Sequence, residues 1–227
     1  MRRWQYWGLV GGGALAAAAL LGAGANAVAG AWHPATDSFR FQGIDVSAAE
    51  GPFDWPVVRE QGVDFVYLDA VRGDAAVPGF EGGWQALAAA SLGRGAILHF
   101  SLCRLAVDQA NRFNTLVPRA RDALAPVLAL DFDPACPARP DRAVVLGELN
   151  RLIAMIEAHS GKPAVLKIAP QFEATYRVST AIDRPLWAVQ DFFPPDYAAR
   201  PWRLWQATRF RRIDGAPRAV RWSVVAP

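Results

Sequence analysis
The sequence predicts an α/β protein built as a (β/α) barrel of about eight strands, with helices thinning out in the C-terminal half. Three observations carry that reading. Short β-rich runs alternate with stretches of helical period from Phe39 onward. Past Tyr176 the helical stretches stop while short strands continue. The run Pro126–Asp133 (Pro-Val-Leu-Ala-Leu-Asp-Phe-Asp) is apolar until it ends in acids. On a strand, Val127, Ala129, Asp131 and Asp133 share one face, and Leu128, Leu130 and Phe132 the other. Barrels place reactive carboxylates at such carboxyl ends of parallel strands. Asp133-Pro134 also reads as a plain turn signal.

In chain order, Phe39–Val46 alternates and reads as a strand ending near Asp45. Gly51-Pro52 breaks the chain, and Trp55–Gln61 is a short helix with Pro56 in its first turn. Asp64–Ala70 is a second strand with Asp69 near its end, and Gly82–Leu92 is helical. Gly95–Phe100 is a third strand carrying His99, followed by a helix over Ala106–Leu116. Val127–Phe132 is the fourth strand. Asp141–Ser160 is the longest helix, with Leu146, Leu149, Leu152, Ile153 and Ile156 at helical spacing and Gly161 as its stop. Ala164–Ile168 is a strand and Pro170–Tyr176 a short helix. Pro185–Gln190, Arg203–Gln206 and Ala219–Val224 complete the set as short strands. No internal repeat is visible.

The N-terminus carries a targeting signal. Arg2 and Arg3 precede an uncharged run from Trp7 to Ala25, and Ala-x-Ala choices follow at Ala23–Ala25, Ala25–Ala27 and Ala27–Ala29. Residues 1–32 therefore read as a secretory signal peptide or, uncleaved, as an N-terminal membrane anchor over residues 7–29. Residues 33–227 form one domain, placed outside the cytoplasm in either case, periplasmic or extracellular. In an exported chain the only two cysteines, Cys103 and Cys136, pair as one disulfide. A free reactive thiol is the alternative.

The net charge of +3 hides an uneven distribution: from Arg200 to the end there are seven arginines and one acid, Asp214. Such a tail meets an anionic polymer or is a solvated face. No nucleic-acid motif accompanies it. With His33, His99 and His159 as the only histidines and no paired spacing, a zinc site is not indicated. No metal or other cofactor is expected, and nothing signals an oligomer.

If the strands close into a barrel, Asp45, Asp69, His99, Asp131, Asp133, Gln190 and Gln206 converge on one mouth. Several carboxylates at one mouth suit glycoside hydrolysis, where one acid protonates the leaving oxygen and another stabilises the cation-like transition state. Tryptophans can stack on sugar rings. Core packing is the competing reading for each of Trp84, Trp187, Trp202, Trp205 and Trp222; Trp187 and Trp205 are the better groove candidates, because their strands end in Gln190 and Gln206.

The motif order resembles the glycoside hydrolase family 25 lysozymes, the muramidases of the bacterial cell wall. The resemblance runs from Gly43-Ile44-Asp45-Val46-Ser47 through Phe53-Asp54-Trp55, Phe65-Val66-Tyr67, the strand ending His99-Phe100, Gln109-Ala110 with Phe113, and Pro126-Val127-Leu128, to Pro185-Leu186-Trp187 and Trp202 through Gln206. It implies a flattened (β/α) barrel, export, action on peptidoglycan and no cofactor. It also implies a subgroup with a disulfide between the loops of Cys103 and Cys136.

The departures fall in the site. In the family the Pro-Val-Leu strand continues Asp-x-Glu, with the Glu as general acid; here those positions are Ala129 and Asp131. A shift by two would give Asp131-Phe132-Asp133, but it breaks the spacing to Cys136. The family's Lys-Ala-Thr-Glu-Gly is Asp69-Ala70-Val71-Arg72-Gly73, and its terminal Val-Asp-x-Asn is Val220-Arg221-Trp222-Ser223. Of four family acids, Asp45 is kept, Asp131 is one methylene shorter, and two are replaced by Ala129 and Arg221. The resemblance makes Asp131 the acid, Asp45 its electrostatic support, and Asp69, Asp133 and His99 possible helpers. The implied activity is a weakened muramidase; a non-catalytic barrel that binds peptidoglycan or an envelope partner is the alternative.

Overall fold
The computed structural model describes residue 20 and residues 22–227. Most of the segment read as a leader lies outside the described residues. Among those described, the chain is helical over 22–31, and no helix is long and apolar enough to cross a membrane.

The barrel begins with β1 (Gln42–Val46) and α1 (Trp55–Glu60), whose Asp54 side chain accepts the Val57 N–H as an N-cap. β2 (Phe65–Arg72) follows and turns back on β3 (Ala75–Ala76), a two-residue hairpin strand. Then come α2 (Phe80–Ala89), β4 (Gly93–His99), α3 (Ala106–Leu116), β5 (Val127–Leu130) and α4 (Arg142–Ser160). β6 (Val165–Ile168) leads into α5 (Pro170–Tyr176) and α6 (Val178–Ala181). No helix follows β7 (Leu186–Val189) or β8 (Leu204–Arg211), and β9 (Val220–Val225) ends the fold.

All strands but β3 close into one barrel, because β1 pairs with both β2 and β9. Every junction from β1 round to β8 is parallel, while β9 runs antiparallel to both neighbours. Eight closed strands with the helices between them confined to the first five connections agree with the predicted class.

Two strand ends depart from the expectation. β5 stops at Leu130, two residues early, because the Asp131 Oδ1 accepts the Phe132 N–H at 2.7 Å and Asp133 caps the next turn through the Ala135 N–H at 2.8 Å. β8 continues past Gln206 to Arg211 because β9 pairs with it across that whole length.

The core has two layers. Outside the barrel, apolar faces of the strands pack against the helices, with Leu149, Leu152, Ile153 and Ile156 of α4 fully or nearly fully buried. Inside, Phe65, Tyr67, Ile97, Val127, Val165, Trp187 and Leu204 fill the lumen. Gly95 makes room there: a Cβ on it would lie 2.1 Å from the Tyr67 ring. The lumen is thus plugged below the mouth, and function is confined to the carboxyl ends of the strands. The Cys103–Cys136 disulfide ties the loop after β4 to the loop after β5, with Cα atoms 5.8 Å apart.

Candidate active site
A cavity of about 880 Å³ opens at that mouth. Asp45, His99, Ala129, Asp131, Asp133, Gln190, Gln206 and Arg221, all singled out in the sequence, line it. Asp69 lies just below its surface, wholly buried.

The floor is an ion-pair network. Asp45 and Arg221 are direct cross-strand partners on the antiparallel pair β1–β9, so the guanidinium meets the carboxylate at once: Arg221 Nε donates to Asp45 Oδ2. From β6, the Lys167 ammonium donates to the same oxygen at 2.7 Å and sits 4.5 Å from the centre of the Trp187 ring. Arg221 also lies 3.7 Å from Glu50 and 3.8 Å from Asp69. Asp69 in turn accepts from His99 Nε2 at 2.7 Å and from Arg72 at 2.7 Å. Acids and cations therefore alternate across the floor.

Burial alone would raise the Asp69 pKa, but the His99 hydrogen bond and the charges of His99, Arg221 and Arg72 outweigh it and hold the carboxyl well below the usual range. For Lys167, burial prevails over the pull of Asp45 and lowers the pKa. For Arg221, burial opposes the cation, yet Asp45 and Asp69 raise its pKa further. Both acids on the floor are thus tied to cations, and Asp69, with its lowered pKa, holds no proton to donate.

Asp131 differs. It is exposed at the cavity rim, beyond the end of β5, and has no ion-pair partner among the described residues. Asp133 is on the rim too, with one oxygen engaged in its own turn. Ala129 stands in register between His99 of β4 and Lys167 of β6. Among the described residues, no group of three or more His, Cys, Asp or Glu side chains is placed to hold a metal ion.

The tryptophans are placed otherwise than expected. Trp187 is 0 % exposed, inside the lumen against Tyr67 at 5.1 Å. Trp205 is 2 % exposed, packs outside the barrel and donates its Nε1–H to the Gln190 carbonyl at 2.7 Å. Neither ring face is open to a sugar. Strand alternation sends both away from the cavity: Trp187 points inward one layer too deep, and Trp205 points outward.

Two residues were missed. Lys167 is the one charge in the apolar strand Val-Leu-Lys-Ile and faces inward with Val165, which was the available signal. Arg72, past the bulge between Asp69 and Val71, bends back onto Asp69.

The sequence matches the profile of Glycosyl hydrolases family 25 over residues 44–216. Among solved structures, a family 25 glycosyl hydrolase from Bacillus anthracis is similar with a TM-score of 0.76 and 27 % identity, over 85 % of this chain and 92 % of that one. A bacterial lysozyme from Streptomyces coelicolor gives 0.73 and 22 %, over 82 % and 91 %. A family GH25 lysozyme from Aspergillus fumigatus gives 0.71 and 15 %, over 82 % and 94 %. At such identities the last two speak to the fold alone. No curated protein matches the chain. The profile match extends from the middle of β1 to the loop before β9 and covers most of the chain, so the chain belongs to glycosyl hydrolase family 25.

Proposed function
We propose that the chain is an exported, lysozyme-like glycoside hydrolase that cleaves the muramic acid–glucosamine bond of peptidoglycan at a reduced rate, with Asp131 as the proton donor. The observation that carries the assignment is the contrast between Asp131 and its neighbours. Asp131 stands on the cavity rim with no ion-pair partner among the described residues and with only its Oδ1 engaged, by the Phe132 N–H, whereas Asp45 is bonded to Lys167 and Arg221, and Asp69 is held ionised by His99 and Arg72.

Asp131 would protonate the leaving oxygen of a chain lying across the mouth. Asp45 keeps the floor anionic but shares its charge with two cations, which weakens its hold on a cation-like transition state. Asp69 fixes His99 in the cavity wall and acts through it. Gln190, just past the end of β7, and Gln206, within β8, line the cavity and offer amide groups to sugar hydroxyls. Export rests on residues 1–32, and the domain works as a monomer without a cofactor.

The test is release of reducing ends from purified peptidoglycan, with Asp131→Asn beside the natural protein. Activity that falls at least about 100-fold in the variant supports Asp131 as the donor. Equal activity in both proteins removes Asp131 from the chemistry. Sedimentation with the polymer without any release would assign a binding role to the same cavity.

A further inference from the structure
One side of the molecule carries an exposed aromatic and arginine face that the glycan site does not use. Phe192 and Phe210 stack at 5.9 Å with planes 8° apart, and Trp32 meets Phe192 edge-on at 5.2 Å. Phe193 projects beyond them, 70 % exposed, and Phe210 is 40 % exposed. The backbone turns there through Phe192 at φ +70°, a left-handed conformation rare for a bulky residue. Arg212 is exposed beside this cluster, and Arg211 spans from the Trp222 ring to the Ala31 carbonyl.

The N-terminal segment joins the fold at this face. The Arg212 N–H donates to the Gly30 carbonyl at 2.8 Å, and Arg211 donates to Ala31. The described part of this segment, helical over 22–31, therefore leads into the aromatic cluster. Leu20 and Val28, also on that segment, are 74 % and 69 % exposed.

We infer that this face docks on an anionic bilayer surface. Its composition is that of a membrane interface: aromatic rings at the headgroup level, with the exposed Arg212 and the half-buried Arg211 beside them for lipid phosphates. Continuity with the apolar N-terminal run supplies the direction from which the bilayer approaches. Arg209, whose guanidinium lies 5.7 Å from the Phe210 ring, also lines the glycan cavity, so docking sets the rim of the mouth beside the membrane. The inference rests on the geometry of this face and does not depend on hydrolysis.

The test uses the full chain in vesicles of mixed phosphatidylglycerol and phosphatidylcholine. The natural cysteines are paired, so a spin label reports from Phe193→Cys alone, with Val144→Cys on the exposed side of α4 as the control. In anionic vesicles the label at 193 becomes several-fold more accessible to oxygen relative to a water-soluble nickel chelate, and the label at 144 does not change. Adding Arg211→Gln and Arg212→Gln reverses the shift at 193. A label at 193 that stays as open to the chelate as the one at 144 overturns the inference. So does protection of 193 by soluble peptidoglycan fragments with no response to vesicles, which would make the face a glycan subsite.

Discussion

At the scale of single residues, the site is defined by what stands beside each carboxylate. Asp45 and Asp69 are bonded to cations, whereas Asp131 stands at the rim without an ion-pair partner among the described residues. On the proposed alignment, an aspartate there is one methylene short of the glutamate expected at that position, which withdraws the carboxyl by about 1.5 Å. Misplacement on that scale costs on the order of 100-fold. Asp131→Glu should therefore raise the rate of reducing-end release by roughly 10- to 100-fold, measured on the same peptidoglycan. An unchanged rate would place the limiting defect elsewhere, at Ala129 or Arg221. The residues most readable from sequence were those whose position on a strand decides their role: Asp45, His99, Asp131 and Gln206 reached the mouth as alternation required. Lys167 was not readable, because its partner Asp45 is 122 positions away and a lone lysine in a short strand has no local signature. Trp187 and Trp205 were misplaced because a strand that ends at the mouth still buries its inner residues beneath it.

At the scale of elements, the local signals were strong where capping or proline marked a boundary. α3 and α5 fall on the expected residues, Ala106–Leu116 and Pro170–Tyr176. The signals failed where tertiary pairing sets the length: β8 reads as polar after Gln206, yet β9 holds it as a strand to Arg211. β3 and α6 are too short to leave a pattern. The loops that bear Asp131 and Asp133 have no ladder of their own beyond β5, and the Cys103–Cys136 bond fastens them to the β4 loop. Replacing both cysteines with serine should lower stability by about 2–4 kcal/mol, read from the urea midpoint, and loosen the rim. A midpoint that does not move would mean that α3 and α4 alone position these loops.

At the scale of the whole molecule, closure by two antiparallel junctions around β9 puts Arg221 opposite Asp45, and so one strand both seals the barrel and supplies a cation to the cavity floor. The class of fold followed from strand and helix alternation; the closing strand's direction did not, because nothing in six residues distinguishes parallel from antiparallel pairing. The buried network also links folding to pH. The Asp69 carboxyl has its folded pKa depressed below its unfolded value, so its stabilisation is present above the unfolded value and is lost as pH falls below about 4 toward the folded value. Thermal melting should therefore drop steeply on acidification below about pH 4, and Asp69→Asn should melt lower at neutral pH with a flatter acid limb. Parallel acid limbs in the two proteins would show that Asp69 is not the linked group.

The measurement that bears most directly on the assignment is the identity of the new chain end. Peptidoglycan digested by the protein is reduced with borohydride, hydrolysed and analysed by mass spectrometry. The account predicts muramitol, formed in the natural protein and lost in Asp131→Asn, because cleavage on the glucosamine side of muramic acid leaves muramic acid at the reducing end. Glucosaminitol as the product, or no reduced amino sugar above the Asp131→Asn background, would contradict it.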